Sequence, residues 1–301
     1  MNVISNFVTN YYKKDRHHLN NGNYSNEICL RQFLDENGIK IGILEDVIYT
    51  KNHNGVTTPS GMVRYQLENV NYLHEDNAYT IMQKNAYVTG TSNHEEHNSN
   101  KDYWDILLGD LKDKEKWDGK LALDFACGKG RNVTNMLNLC NWSRVDGIDL
   151  SMSNINHNKS YYAEQRSNWY CNNGIDVSEL NDNQYDFIMS TIALQHIPVY
   201  DIRKSLIKDL LRILKPDGLF SFQMGYGDNL ESDLGKRSSY FENIYDATGT
   251  NSDYDVRIQN VNDVITDLTE IGYTNISTEI RDSYSDNGHP QWIYIKAYKP
   301  K

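Results

Sequence analysis

The chain has no apolar run of about 18 residues or more, the length a helix needs to cross a bilayer. Met1 to Lys14 also lacks the apolar core of a secretory leader, so the expectation is a soluble, cytoplasmic protein with no membrane partner. Cysteine is scarce. Cys29, Cys127, Cys140 and Cys171 fit neither a CxxC zinc pattern nor a closely spaced disulfide framework, and free thiols in a reducing compartment are the simpler reading. Positive charge is the minority sign: 30 Lys and Arg against 41 Asp and Glu leave a formal charge of −11. The basic residues are scattered, a nucleic-acid backbone would be repelled, and no nucleic-acid partner is expected. Asparagine, by contrast, is abundant. The N-x-S/T triplets at Asn23, Asn132, Asn141 and Asn275 are read as products of that composition, since no secretory route is indicated.

At 301 residues the chain holds either one large α/β domain or a domain of about 200 residues plus a smaller one. From about residue 118 strand and helix patterns alternate, which implies a mainly parallel sheet covered on both faces. Leu121–Ala126 reads as a strand followed by a helix at Arg131–Cys140. Arg144–Asp149 reads as a second strand, followed by a helix capped by Ser151 or Ser153. A short third strand is expected at Trp169–Asn172 and a fourth, apolar on both faces, at Asp186–Thr191. Asp201–Leu214 has helical spacing, Lys215-Pro216-Asp217-Gly218 is expected to stop it with a turn, and Leu219–Met224 is strand five. Val261–Ile271 is a further helix with Gly272 placed for a left-handed cap, and Thr274–Arg281 with Gln291–Tyr298 forms an antiparallel hairpin. Residues 1–95 read differently, as a small α+β or β-rich domain. A helix is expected at Ser25–Glu36 and strands at Ile39–Tyr49, Met62–Asn71 and Ala78–Val88, with loops at Asn52–Gly55 and Thr57–Gly61 and a linker at Gly90–Asn100. Residues 96–301 are the second domain, with 225–260 inserted in it.

The most informative stretch is Leu121-Ala-Leu-Asp-Phe-Ala-Cys-Gly-Lys-Gly-Arg-Asn132, where an apolar strand meets two glycines at a helix start. Glycines there let backbone pass close to a ligand, and the unpaired amides of the helix start face its polar end. A GxGxxG dinucleotide fingerprint would need glycine at 126, 128 and 131, where the chain has Ala126, Gly128 and Arg131. No Lys-Ser or Lys-Thr pair follows to make a Walker loop. What is left, Asp124-x-x-Cys127-Gly128-x-Gly130, resembles motif I of the class I S-adenosylmethionine-dependent methyltransferases.

That resemblance extends over roughly residues 100–301. It implies an α/β fold with a doubly wound, mainly parallel seven-strand sheet ending in an antiparallel hairpin. The implied cofactor is S-adenosyl-L-methionine, leaving as S-adenosyl-L-homocysteine. In the family the strand-end acid and the glycine turn surround the methionine portion, which assigns Asp124, Ala126, Cys127, Gly128 and Gly130. Ala126 departs from the usual glycine but is small. Asp149, next to Leu150, ends the second strand, where a carboxylate can accept hydrogen bonds from both ribose hydroxyls; a plain charge at a helix start is its alternative. Ile175 and Asp176 fall where the family sets an apolar residue and an acid against adenine, or else in a polar loop. Ser190 and Leu194 border the methionine arm. Tyr103 and Trp104 either cover the cofactor or pack an amphipathic helix on the sheet. Arg131 either pairs with the cofactor carboxylate or sits on a solvated helix start.

A sulfonium methyl is already activated, so alignment and exclusion of water do most of the catalysis and few catalytic side chains are obligatory. His196, after strand four, is the candidate base, or else a histidine bonded to the scaffold. Tyr226, Tyr240 and Arg237, in the aromatic insertion at 225–260, are candidate acceptor contacts on a lid; the aromatics are equally read as a small core of their own. No Asn/Asp-Pro-Pro-Tyr/Phe motif follows strand four, which disfavours nucleic-acid bases. Asp228-Asn229 is similar to the metal-binding pair of catechol-type O-methyltransferases, but strand four lacks the partner acid, so no metal is expected. His17-His18 and His94-Glu-Glu-His97 are read as solvated, the latter lacking HExxH spacing. The expected activity is methyl transfer to an O, N, S or C atom of a small-molecule acceptor. The alternatives are a protein side-chain methyltransferase and a non-catalytic S-adenosylmethionine-binding regulatory module. An NAD-linked oxidoreductase is disfavoured by Arg131 and the closing hairpin. The acceptor atom and the oligomeric state leave no mark in the sequence.

Overall fold

The computed structural model describes residues 102–109, 111–163, 165–227, 238–241, 255–282, 289 and 291–301. It also describes Leu73, Thr80 and the backbone of four short strands ahead of them. Those strands are β1 (Ile41–Ile43), β2 (Tyr49–Lys51), β3 (Thr57–Pro59) and β4 (Tyr65–Leu67), in antiparallel pairs β1–β4 and β2–β3. β1 and β4 fall inside expected strands, whereas Thr57–Pro59 is a strand where a loop was expected. Thr80 is helical within the stretch Ala78–Val88, read from sequence as a strand. The expected helix at Ser25–Glu36, the linker at Gly90–Asn100 and the His17-His18 and His94–His97 groups lie outside the described residues.

The remaining elements are helix α1 (Asp102–Leu108), a 3-10 turn (Leu111–Trp117), β5 (Leu121–Phe125), α2 (Arg131–Leu139), β6 (Arg144–Asp149), α3 (Met152–Tyr161), β7 (Trp169–Cys171) and β8 (Tyr185–Ser190). A second 3-10 turn (Leu194–His196) leads into α4 (Tyr200–Ile213), β9 (Leu214–Tyr226), β10 (Ser238–Ser239), β11 (Val256–Arg257), α5 (Val261–Ile271), β12 (Thr274–Asp282) and β13 (Gln291–Tyr298). Seven strands form one sheet in the order β12-β13-β9-β8-β5-β6-β7. β9, β8, β5, β6 and β7 are parallel; β13 is antiparallel to β9, and β12 to β13. The strand order reverses between β5 and β8, and in open α/β sheets a ligand crevice lies at the carboxyl ends of the strands flanking such a point.

Alternation along the central strands divides the core into two layers. Leu123, Phe125, Ile188, Phe220 and Phe222 pack with α4 and α5 on one face; Ala122, Phe187, Met189 and Leu219 pack with α1, α2 and Trp142 on the other. Strands buried on both faces carry apolar side chains on both, as Phe187, Ile188 and Met189 of β8 do. Ser151 caps α3, its side chain accepting from Asn154 N–H at 3.3 Å. Gly272, at φ 114°, closes α5 in the left-handed region. One expected boundary moves. The helix ends at Ile213 and β9 starts at once at Leu214, so Lys215–Gly218 is an excursion inside the strand; the register with β8 jumps there from Tyr185↔Leu214 to Phe187↔Leu219. Among the described residues no helix is long and apolar enough to cross a membrane.

Candidate functional site

The loop from β5 to α2 reverses the chain by placing Ala126, Gly128 and Gly130 at φ 60°, 50° and 80°. The two glycines differ in surroundings. A Cβ on Gly130 would sit 2.7 Å from the Trp169 ring and 2.8 Å from Tyr162, so this residue is glycine because the loop packs against β7 and the end of α3. A Cβ on Gly128 would meet nothing within 4 Å. Backbone at Gly128 therefore faces open space at the carboxyl end of the sheet.

Side chains on the neighbouring β-α unit hold this turn. Asp149 Oδ2 accepts the Gly128 N–H at 2.8 Å, and Asn158 Nδ2 donates to the Gly128 carbonyl at 2.8 Å. Asp149 Oδ1 accepts the Ser151 N–H at 2.8 Å and Asn154 Nδ2 at 3.3 Å. Burial raises the Asp149 carboxyl above its ordinary range, while these donors pull it back. An ionised carboxylate offers about four acceptor positions. The fold engages three of them, so Asp149 is both the fastener of the glycine turn and a group with about one acceptor position to spare. Asn154 and Asn158 were missed in the sequence. Their signal was spacing: four residues apart and downstream of the Ser151 cap, they share the buried face of α3 with Ile155.

Asp124 sits on β5 below the turn, 1% exposed, and its Oδ2 has no hydrogen-bond partner. Burial pushes its carboxyl up to about 8, with the Arg131 charge pulling down and the Asp149 charge pushing up. The acid is thus mainly protonated at neutral pH. Three further buried polar atoms without a partner lie along the same edge: Asn172 Oδ1 after β7, Ser190 Oγ at the end of β8 and Gln195 Oε1 in the turn after it. Buried polar atoms are normally satisfied, so these four are available to a polar ligand at the carboxyl end of the sheet. Arg131 Nε reaches Asn132 Oδ1 at 3.4 Å, and Asn132 Nδ2 donates to Thr191 Oγ1 at 2.7 Å, tying the start of α2 to the chain after β8.

The loop after β7 closes the other end. Gly174 is at φ 91°, and a Cβ there would sit 2.9 Å from Leu150 Cδ1 and from Thr80 Cγ2. Ile175 is 5% exposed. Asn173 Oδ1 accepts the Ile175 and Asp176 amides at 2.8 and 3.0 Å, while Asp176 Oδ1 accepts from Asn173 Nδ2 at 2.9 Å and the Ser178 amide at 3.1 Å. Tyr103 and Trp104 are buried in the core layer that α1 forms against β9 and β13, and Leu194 is fully buried.

On the β9 side, the turn after β8 carries His196. Its Nδ1 lies 2.5 Å from Asp255 Oδ1, and Asp255 Oδ2 lies 3.4 Å from His289 Nε2. Arg257 Nε donates to His289 Nδ1 at 3.4 Å. Sequence reading missed Asp255 and His289 because the contact closes over 59 and 34 residues of chain. Tyr226 is half-buried at the end of β9, bridged to Ile258. Tyr240, read either as an acceptor contact or as part of a small core, is 2% exposed: its ring packs against Tyr200 and Phe241, Arg203 lies over it, and Arg203 donates to its carbonyl. That ring belongs to the core. Arg237, Asp228 and Asn229 lie outside the described residues. Among the described residues no group of three or more His, Cys, Asp or Glu is arranged to hold a metal ion.

A family model described as a methyltransferase domain matches residues 123–222. No curated protein matches the chain. Among solved structures, the chain is similar to an S-adenosylmethionine-dependent methyltransferase from Methanosarcina mazei (17% identity, 63% of this chain and 96% of that one, TM-score 0.48). It is also similar to a putative S-adenosylmethionine-dependent methyltransferase from Listeria monocytogenes (18% identity, 64% and 98%, TM-score 0.43). A third is Haemonchus contortus phosphoethanolamine N-methyltransferase 2, solved with S-adenosylmethionine (17% identity, 64% of this chain, TM-score 0.46), of which the chain spans 53%.

Proposed function

From the premise that the chain belongs, through residues 123–222, to the class I S-adenosylmethionine-dependent methyltransferases, we propose that it methylates a small-molecule acceptor bound at the β8–β9 end of its sheet. The observation that carries this reading is the pairing of an open glycine backbone at Gly128 with the buried Asp124 beneath it, whose Oδ2 has no hydrogen-bond partner. The cofactor is S-adenosylmethionine, which supplies a methyl group already activated on a sulfonium. Gly128, Gly130 and Asp124 hold its methionine portion, the carboxylate of Asp124 answering a cationic centre that enters. The spare acceptor position of Asp149 takes one ribose hydroxyl, and Leu150, Ile175 and Asp176 border the adenine. Ser190 lines the arm that leads to the methyl group.

The acceptor side is bounded by His196, Tyr226 and β11, which lies against β9. Alignment there, worth about 7–11 kcal/mol in well-oriented reactions, carries the rate. Calorimetry with S-adenosylhomocysteine, followed by a screen of radiolabelled methyl transfer across alcohols, phenols, amines, thiols and carboxylic acids, tests the proposal. Binding with turnover of at least one such compound is expected. Absence of binding removes it, and binding with turnover only on protein substrates replaces the acceptor class.

A further inference from the structure

We propose that Asp255, His289 and Arg257 form a positioning chain that holds His196 in the Nδ1–H form, making His196 Nε2 the base for an acceptor whose hydroxyl or amine carries a proton. This rests on the methyl-transfer reading above. Arg257 cannot deprotonate, so at its contact His289 Nδ1 is the accepting nitrogen and the ring proton of His289 sits on Nε2, directed at Asp255 Oδ2. Asp255 only accepts when ionised, and its other oxygen therefore takes a proton from His196 Nδ1. The lone pair of His196 is then on Nε2. The same logic, a buried carboxylate fixing the tautomer of an imidazole, underlies the orientation of catalytic histidines in hydrolytic triads.

Burial grades along the chain. The side chains of His289 and Asp255 are 1% and 6% exposed, and that of His196 is 32% exposed. The charged network is buried and ends in an imidazole that meets solvent at the expected acceptor edge. The four residues come from separate stretches: after β8, before and within β11, and before β13. Strand β9 makes room for them, since a Cβ on Gly225 would lie 2.0 Å from His289 Nδ1. Arg203 adds a buried cation nearby, donating to the carbonyl of Ile197 beside His196. A surface histidine needs none of this to be solvated.

In the step assigned to this base, a lone pair on the acceptor heteroatom forms the bond to the methyl carbon. The carbon–sulfur bond breaks with its electron pair left on sulfur, giving S-adenosylhomocysteine. The acceptor proton passes to His196 Nε2, its bonding pair staying on the heteroatom. The imidazolium, held by Asp255, returns the proton to water. Carboxylic acid acceptors, already ionised at neutral pH, would gain nothing from this arrangement.

The test is long-range proton–nitrogen correlation NMR on the full chain with labelled histidine above pH 8, the His196 signals being assigned by their loss in His196→Gln. The expected result is the Nδ1–H form in the unsubstituted chain. Asp255→Asn should invert it to Nε2–H, because the amide NH₂ then donates to Nδ1, and Gly225→Ala should mix the two forms by displacing the His289 ring. On an alcohol, phenol or amine acceptor found in the screen, Asp255→Asn should lower turnover by ~10²–10⁴-fold while S-adenosylhomocysteine affinity stays within a few-fold. An Nε2–H form in the unsubstituted chain overturns the proposal whether or not the variants fold. So does unaltered turnover in a folded Asp255→Asn, or a substrate set confined to carboxylates. Failure of the unsubstituted chain to bind S-adenosylhomocysteine is a separate outcome that removes the methyl-transfer reading and leaves the tautomer result to judge the chain by itself.

Discussion

The two glycines of the turn have opposite reasons for being glycine, and alanine at each separates them. At Gly130 an alanine must hold φ 80°, in the left-handed region that costs an ordinary residue about 1–2 kcal/mol. Its Cβ must also displace the Trp169 and Tyr162 rings from 2.7 and 2.8 Å, an overpacking worth typically about 1–3 kcal/mol. Less the ~0.4–1 kcal/mol that a stiffer unfolded chain returns, stability should therefore fall by roughly 1–4.5 kcal/mol. At Gly128 the same left-handed cost applies at φ 50°, but the Cβ enters open space, and the entropy lost from the unfolded chain returns about 0.4–1 kcal/mol. The net effect there should be about 0–1.6 kcal/mol. Ala126 at φ 60° already shows that this loop accommodates alanine in that region. In the proposed site, the space that spares stability at Gly128 is the space the cofactor needs. Urea unfolding and calorimetry with S-adenosylhomocysteine should diverge: Gly128→Ala near-native in stability but at least tenfold weaker in binding, Gly130→Ala clearly destabilised. Native-like affinity in Gly128→Ala would show that no ligand approaches this backbone, and the account of the turn would be wrong.

Asp124 yields two pH-dependent outcomes. Its ordinary value near 3.8 rises to about 8 on folding, so the folded chain binds the proton more tightly; the stability this gives is complete below pH 4 and is lost as pH rises through 8. Urea midpoints should decline across that window, Asp149 adding a decline of the same sign, and Asp124→Asn should flatten the curve partly. Binding a cationic group beside Asp124 at pH 7 should also expel its proton. Calorimetry of S-adenosylhomocysteine in buffers of different ionisation enthalpy should then report release of close to one proton, and a heat independent of buffer would contradict the pairing. Asn158→Leu strands the Gly128 carbonyl and should cost about 1–3 kcal/mol by chemical denaturation, with weaker cofactor binding following from the loosened turn. Tyr240→Ala should cost about 3–5 kcal/mol as a core truncation, whereas Tyr226→Ala should leave S-adenosylhomocysteine affinity intact and lower methyl-transfer turnover. Unchanged turnover in Tyr226→Ala would remove that residue from the acceptor side.

What could be read from the sequence was whatever is local. Strand-helix alternation, the Ser151 cap, the Gly272 stop and the closing hairpin each announce themselves within a few residues, whereas the strand order is set by non-local pairing. The glycine turn was legible for the same reason. Lys215–Gly218 shows the limit: a Pro-Asp-Gly signal predicts a bend, but whether the bend separates two elements or interrupts one strand is decided by the neighbour, here β8, through the Tyr185↔Leu214 pairing. Tyr240 shows the limit from another side, since an aromatic in an insertion is core or surface according to what Arg203 and Tyr200 on α4 present to it.

The asparagines carry the lesson furthest. Their abundance looks compositional, and most of it needs no other account, yet Asn154, Asn158 and Asn132 are buried and bond to Asp149, the Gly128 carbonyl and Thr191. A neutral amide can satisfy a buried backbone carbonyl or a carboxylate without adding a charge to a site that already crowds Asp124 against Asp149. An acid in any of these places would raise that repulsion, and a lysine or arginine would neutralise the acid that the incoming cation requires. In the proposed site these amides leave the balance on Asp124 to burial, Arg131 and Asp149, and Asn154→Asp, placed beside Asp149, should weaken S-adenosylhomocysteine binding in calorimetry even though its carboxylate is nearly the same size as the amide it replaces.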